Sequence, residues 1–362
     1  MRKTALLWLM MSALIVAGCG SPGRSQPGTP DSSAALEANA ISAAPLATDA
    51  RYETPRIAFD NAGALHLTYL AGGQLFHQQR ADDGSWSAPE LLREQAGGPT
   101  LLRRPNGEVC ALWTGYEDIA NLQGNALQMR CLSNGVWSPA ASVGSFYAYE
   151  PVFAPDGTPH ALSGNNSINL GEVLVSGECS SVGGLLAIDP SGHYHAVWAL
   201  SPLPGEVASC GPGGTMYSSS GDGGKTWSKP ELLAEETDPR LLLADKQGRL
   251  HLLLFDGSYR QWQPDKGWGK PVELKLPFNY IRATLDANDA IHLVATDFLT
   301  SDPNLQHYYV YQNKDGSWNA PRTIAQADTI ADPTIAITAD SGGKPYFAWV
   351  GKDGKVYVAR YK

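Results

Sequence analysis

Five histidines of this sequence occupy one place in a recurring pattern: His66, His160, His195, His251 and His292. Imidazole is a common metal ligand, so metal binding is the first chemistry to weigh. Ligands must converge on one point, however, and these residues fall one to a repeat. Each is expected to bond to its own turn or to a neighbouring repeat, with no metal or cofactor held. A second set of chemically capable residues gathers where apolar strands begin. It comprises Tyr52, Glu53 and Arg56; Arg103 and Arg104; Tyr149 and Glu150; Asp238 and Arg240; Tyr280 and Arg282; and Asp332. Tyr116, Glu117, Asp118 and Asp302 join them from long loops. Arginine offers a planar fork of donors that matches a carboxylate, so this set could hold an acidic ligand. The same residues would serve equally as a hydrated mouth lined with ion pairs.

The elements that must position these groups repeat along the chain. Each copy is an apolar strand, a polar turn and a second strand, with the marked residue three places after the turn glycine. The copies are 57–59 with Gly63 and His66, 101–102 with Gly107 and Cys110, 152–153 with Gly157 and His160, and 186–188 with Gly192 and His195. They continue as 241–243 with Gly248 and His251, 283–285 with Asp289 and His292, and 335–337 with Gly343 and Tyr346. Asp289 stands in the glycine place. Marked residues are 35 to 56 positions apart, near the length of one propeller blade.

A second pattern follows in most copies, a glycine turn, then Trp, then Pro. It is seen at Gly84, Trp86 and Pro89; Gly135, Trp137 and Pro139; Gly224, Trp227 and Pro230; Gly267, Trp268 and Pro271; and Gly316, Trp318 and Pro321. The glycine supplies a tight hairpin. The Trp is a large apolar plug between neighbouring sheets, and the Pro suits an outer strand edge.

The stretch Ser220-Gly221-Asp222-Gly223-Gly224-Lys225-Thr226-Trp227 matches S-x-D-x-G-x-x-W at every fixed position. The chain therefore resembles the Asp-box propellers, a family that includes sialidases, sortilin-type receptors and a photosystem assembly factor. The resemblance covers about 45–362 and places the propeller domain at 41–362. It implies an all-β fold, a β-propeller of seven blades, or six if the irregular third repeat forms none. The last repeat ends at Tyr361-Lys362 without an outer strand. Ala44-Pro45-Leu46 resembles the outer-strand sequence Ala88-Pro89-Glu90-Leu91, so an N-terminal strand is expected to close the ring.

In this family the Asp-box hairpin lies away from the ligand face. Ser220, Asp222, Gly224 and Trp227 are thus expected to be structural, and Tyr52, Glu53, Tyr149, Asp238 and Asp332 to border the ligand. Resemblance to sialidases would make Arg56, Arg240 and Arg282 a carboxylate-binding triad, with Tyr280 as nucleophile beside Glu150. Two features depart from that pattern. Arg56-Ile57-Ala58 lacks the proline of Arg-Ile-Pro, and sialidases usually have six blades. The expectation is a propeller that binds a glycan, peptide or protein on its axial face, with an exo-α-sialidase-type hydrolase as the alternative.

The chain begins with Arg2 and Lys3, an apolar run at 5–17, and Val16-Ala17-Gly18-Cys19. That order is an export signal, and the cysteine at the cut resembles the lipobox of bacterial lipoproteins. Lipidation at Cys19 is expected after removal of 1–18, with 19–40 as a flexible tether poor in large apolar residues. Gly20, in place of aspartate, favours the outer membrane. Losing Arg2 and Lys3 takes the formal charge from −9 to −11, which argues against nucleic acid and leaves the lipid anchor as the membrane contact. Four cysteines remain, an even count that suggests two disulfides in an exported chain. The repeat favours Cys110–Cys131 and Cys179–Cys210.

Overall fold

The computed structural model describes residues 37–41, 55–115, 126–145, 148–164, 168–169, 181–201, 213–274, 280–296, 305–327, 335–351 and 355–361. Every element among them is a β-strand, in line with the all-β expectation. The first strand of the described residues is β1 (Glu37–Ile41). The first sheet is then β2 (Arg56–Phe59), β3 (Leu65–Ala71), β4 (Gln74–Arg80) and β5 (Glu90–Arg93). The second is β6 (Gly97–Arg103), β7 (Val109–Gly115), β8 (Ala126–Ser133), β9 (Val136–Trp137) and β10 (Ala141–Ser145). The third is β11 (Ala148–Phe153), β12 (Pro159–Gly164) and β13 (Ile168–Asn169). The fourth is β14 (Ser181–Ile188), β15 (Tyr194–Leu200), β16 (Gly214–Ser220) and β17 (Glu231–Glu235). The fifth is β18 (Pro239–Ala244), β19 (Leu250–Leu254), β20 (Ser258–Gln263), β21 (Gly267–Trp268) and β22 (Val272–Glu273). The sixth is β23 (Tyr280–Leu285), β24 (Ile291–Thr296), β25 (Leu305–Tyr311) and β26 (Arg322–Ala327). The last strands are β27 (Ile335–Ala339), β28 (Pro345–Val350) and β29 (Val356–Arg360), and β1 joins them to complete a seventh sheet.

All pairings are antiparallel, and each sheet runs outward from its first strand. These first strands touch one another in a cycle: β2 with β6, β6 with β11, β11 with β14, β14 with β18, β18 with β23, β23 with β27, and β27 with β2. Second strands such as β3 and β28 are buried along their whole length. A strand covered on both faces reads as a continuous apolar run, which is what Pro345–Val350 shows. Outer strands such as β17 are mostly exposed and short, a form that discourages edge-to-edge pairing.

The apolar cores lie between neighbouring sheets. One cluster joins Leu67 and Tyr69 of the first sheet to Ala348 and Val358 of the seventh. Another joins Leu253 and Tyr259 of the fifth to Ile281 and Leu293 of the sixth. The hairpin tryptophans plug these seams. Trp137 meets His77 edge-on at 4.9 Å, Trp268 meets Tyr217 at 5.3 Å, and Trp318 meets Tyr259 at 5.2 Å. Tyr361 holds the corresponding place in the seventh sheet, 5.1 Å from Tyr309.

β1 pairs β29 in the register Glu37↔Arg360 to Ile41↔Val356. This strand lies partly within 19–40, the stretch read as tether. The unpaired edge of β29 organises it, and no apolar alternation in the sequence announced it. Ala44-Pro45-Leu46, the expected closing strand, lies outside the described residues, as do 1–18 and Cys19. Cys110 and Cys131 face each other in the β7–β8 register and form a disulfide. Cys179 and Cys210 lie outside the described residues.

Candidate functional site

The marked histidines are held within the sheets. In the fifth sheet, Asp245 follows β18 and its Oδ1 accepts the backbone N–H of Gln247 and of Arg249, which closes the turn. Its other oxygen lies 3.1 Å from Nε2 of His251. A carboxylate only accepts, so Nε2 carries the proton and Nδ1 receives the Tyr259 hydroxyl at 2.7 Å. The sixth sheet keeps the tyrosine bond, Tyr309 to His292 Nδ1 at 2.6 Å, and so does the fourth, Tyr217 to His195 Nδ1 at 2.9 Å, but there Asp286 and Asp189 stand 3.5 Å and 3.6 Å from Nε2, beyond a hydrogen bond. In the first sheet His77 replaces the tyrosine, 3.0 Å from His66. His160 instead takes the hydroxyl of Tyr194 from the next sheet, at 3.1 Å. Burial pushes Tyr217 and Tyr259 up to about 12 and holds His195 and His292 below the usual imidazole range.

The stretch from Ser220 to Trp227 is likewise bound to itself. Ser220 Oγ donates to Asp222 Oδ1 at 2.8 Å and accepts Gly224 N–H at 2.9 Å. Asp222 accepts both Thr226 N–H and Thr226 Oγ1–H, and Trp227 Nε1–H donates to Gly224 O. The bonds from Thr226, and after them the one from Ser220, hold the Asp222 carboxyl well below its usual range.

The candidate ligand site lies at the starts of the first strands. Arg282 of β23 and Glu150 of β11 form an ion pair of 2.8 Å. The third and sixth sheets are not neighbours in the cycle of contacts. A bond between their innermost strands therefore crosses the space that the cycle encloses. Tyr280 completes the group, with the Arg282 guanidinium 4.7 Å over its ring. Tyr280 Oη and Arg56 Nη1 are both buried and have no hydrogen-bond partner among the described residues. Behind Tyr280 in the sheet, Thr296 bonds to His307 at 2.7 Å, and burial draws His307 down to about 4.

Glu150 reaches Arg282 from a β-bulge. The β11–β12 register slips between Tyr149 and Val152, and Glu150 has φ 43°. The second sheet has the same bulge, between Gly97 and Thr100, with Gly98 at φ 53°. Both bulges carry a proline next, Pro99 and Pro151. The repeat thus shows glycine doing in one sheet what glutamate does in the other. A non-glycine residue held in a sparse backbone region costs on the order of 1–3 kcal/mol. The side chains of Glu150 and Arg282 are 47% and 25% exposed, and exposed ion pairs return only about 0–1 kcal/mol. Stability alone does not account for Glu150. Bulges also re-aim side chains beside binding sites, and this one carries a carboxylate to Arg282.

The other expected residues are placed as follows. Arg240 lies over the Phe255 ring at 4.3 Å, and Asp238 is exposed beside it. Arg56 lies on β2 opposite Thr68. Tyr149 lies on β11, next to Glu150. Tyr52, Glu53, Asp332, Tyr116, Glu117, Asp118 and Asp302 lie outside the described residues. Arg103 and Arg104 require correction, because β6 ends at Arg103 and the two fall at the far end of the strand. Arg104 donates to Gly157 O at 2.9 Å, tying the turn of the second sheet to that of the third. Gly97-Gly98-Pro99 has no strand-like pattern, so the sequence reading placed the strand start too late. The tyrosines that donate to the histidines were also missed, because the stretches between β15 and β16 and between β24 and β25 differ in length.

A cleft of ≈ 910 Å³ opens elsewhere, between the fifth and sixth sheets beside their turns; Gln261, Lys266, Asp289 and Lys314 are among its walls. We place the candidate site at Arg282 instead, because charge from opposite sheets converges there.

No protein-family model matches the sequence, and no curated protein matches it. Solved structures do. A catalytically inactive virginiamycin B lyase from Staphylococcus aureus, solved with quinupristin, has a TM-score of 0.53 at 12% identity, covering 91% of this chain and 100% of that one. The WD40 β-propeller domain of Doa1 has a TM-score of 0.53 at 13% identity, covering 90% of this chain and 97% of that one. At such identity the likeness shows the fold alone. The chain is an all-β protein with the β-propeller fold.

Proposed function

We propose that this chain is a lipid-anchored, seven-bladed envelope propeller that binds a glycan, peptide or protein at its axial mouth. The observation that carries the reading is the Glu150–Arg282 pair, which joins non-adjacent sheets with Tyr280 against the guanidinium. Converging charged and aromatic groups at the centre of a propeller are suited to holding a ligand. The seven antiparallel sheets and the pairing of β1 with β29 support the closed ring. The Cys19 signal supports the anchor, and the Cys110–Cys131 disulfide is in keeping with an oxidising compartment. Gly20 supports the outer membrane as the destination.

A sialidase-type hydrolase is the second reading, favoured by the meeting of Tyr280, Arg282 and Glu150 in one place. It requires Glu150 to serve the tyrosine, whereas the carboxylate lies on the arginine. A fluorogenic sialoside assay on the purified protein separates the two. No turnover is expected; turnover that Arg282→Ala abolishes would overturn the binding reading. Labelling cells with a radioactive fatty acid tests the anchor, with incorporation expected in the wild type and lost in Cys19→Ser.

A further inference from the structure

We infer that Glu150 is a built-in stand-in for the ligand's carboxylate, so that the axial mouth takes a molecule presenting a carboxylate to Arg282. This rests on the axial site proposed above. Three observations converge on it. Glu150 occupies a guanidinium at 2.8 Å, the geometry an acidic ligand would adopt. It does so from a positive φ that the equivalent bulge of the second sheet assigns to Gly98. The pair spans opposite first strands and is partly open to water, so an incoming carboxylate can reach Arg282 and displace the resident one.

The arrangement also sets specificity. A neutral ligand gains nothing at Arg282 that compensates for breaking the pair. A carboxylate exchanges one charge-assisted bond for another. Because the resident group competes, apparent affinity falls by the fraction of time that Arg282 is unoccupied; a site held nine-tenths of the time binds about tenfold more weakly.

Binding of glucuronate, N-acetylneuraminate and trialanine to the full-length chain, measured by calorimetry, tests the inference. The methyl esters of the two sugars and the amide of the peptide serve as neutral controls. The sugar and peptide arms distinguish the two sources of a carboxylate. Glu150→Gly restores the residue that the repeat uses and removes the competitor without adding strain. It is expected to bind at least one acid about tenfold more tightly than wild type, with no gain for the neutral control. Glu150→Gln keeps the shape and loses the charge, and is expected to show a gain of the same sign. Arg282→Ala, checked for an unchanged circular dichroism spectrum, is expected to lose the acid. An acid bound equally by wild type and Glu150→Gly, and lost in Arg282→Ala, overturns the inference and leaves the axial site standing. No acid bound by either protein overturns both.

Discussion

The Tyr259 hydroxyl lies 2.7 Å from Nδ1 of His251, and the same tyrosine ring receives the edge of Trp318 from the next sheet. One side chain thus closes the polar chain of its own sheet and anchors the wedge of its neighbour. Tyr259→Phe keeps the ring and removes the donor. It should lower unfolding free energy by about 1–3 kcal/mol, because Nδ1 is then buried without a partner. Urea denaturation measures this, and an unchanged midpoint would contradict the assignment.

Acid should destabilise the protein well before carboxylates titrate. Burial, followed by the nearby His66, pushes His77 down to about 3, and burial draws His307 down to about 4, from an unfolded value of 6.5. Between those values the unfolded chain binds protons that the folded chain refuses. Stability is therefore complete above pH 6.5 and is lost as pH falls towards 4. Each such group steepens the slope by up to about 1.4 kcal/mol per pH unit. Burial works to raise Asp245, but hydrogen bonds from His251 and Arg249 outweigh it and bring the carboxyl to about 2, so its contribution is lost lower still and in the same sense. Urea midpoints at pH 7.5 and 5 should differ in the wild type and differ less in His307→Gln.

Reducing agent should leave the native disulfide intact. Cys110 is fully buried and Cys131 nearly so. Labelling of Cys110 and Cys131 after dithiothreitol, located by peptide mass spectrometry so that Cys19, Cys179 and Cys210 are read apart, is expected only once denaturant is present. Replacing both cysteines with alanine should remove about 2–4 kcal/mol, since the bond spans 21 positions and constrains the unfolded chain. Labelling of the native protein would show that the pair is more accessible than its burial implies.

Deleting 33–41 should expose the β29 edge. Loss of a pairing strand is expected to lower the thermal midpoint and to produce dimers or larger species through edge pairing. Light scattering after size exclusion reads this directly; a monomer of unchanged midpoint would mean that β1 contributes little.

Much of the fold was legible because the repeat is written in turn chemistry. The step from Gly63 to His66, or from Gly248 to His251, marks a turn and the strand after it whatever the loops do. Cys110–Cys131 was legible for the same reason, since both lie on adjacent strands of one repeat. The site was less so. Sequence placed Glu150 and Arg282 at strand starts, but Glu150 seemed suited to Tyr280, and only the fold brings the third and sixth sheets face to face. The bulge at Glu150 has no apolar signature, and β1 has no pattern apart from the edge it covers.

The pairing of β1 with β29 sets a schedule for assembly. Synthesis makes β1 before every other strand of the described residues and the strand it joins after all of them. Until Arg360 has been added, the leading segment has no mate, and the seam filled by Tyr361 stays open. Partial chains can build individual sheets, but the circle cannot lock in midcourse. The contact between Glu37 and Arg360 joins the first and last strands of the described residues, a long separation in sequence, so locking should be the slow event of folding.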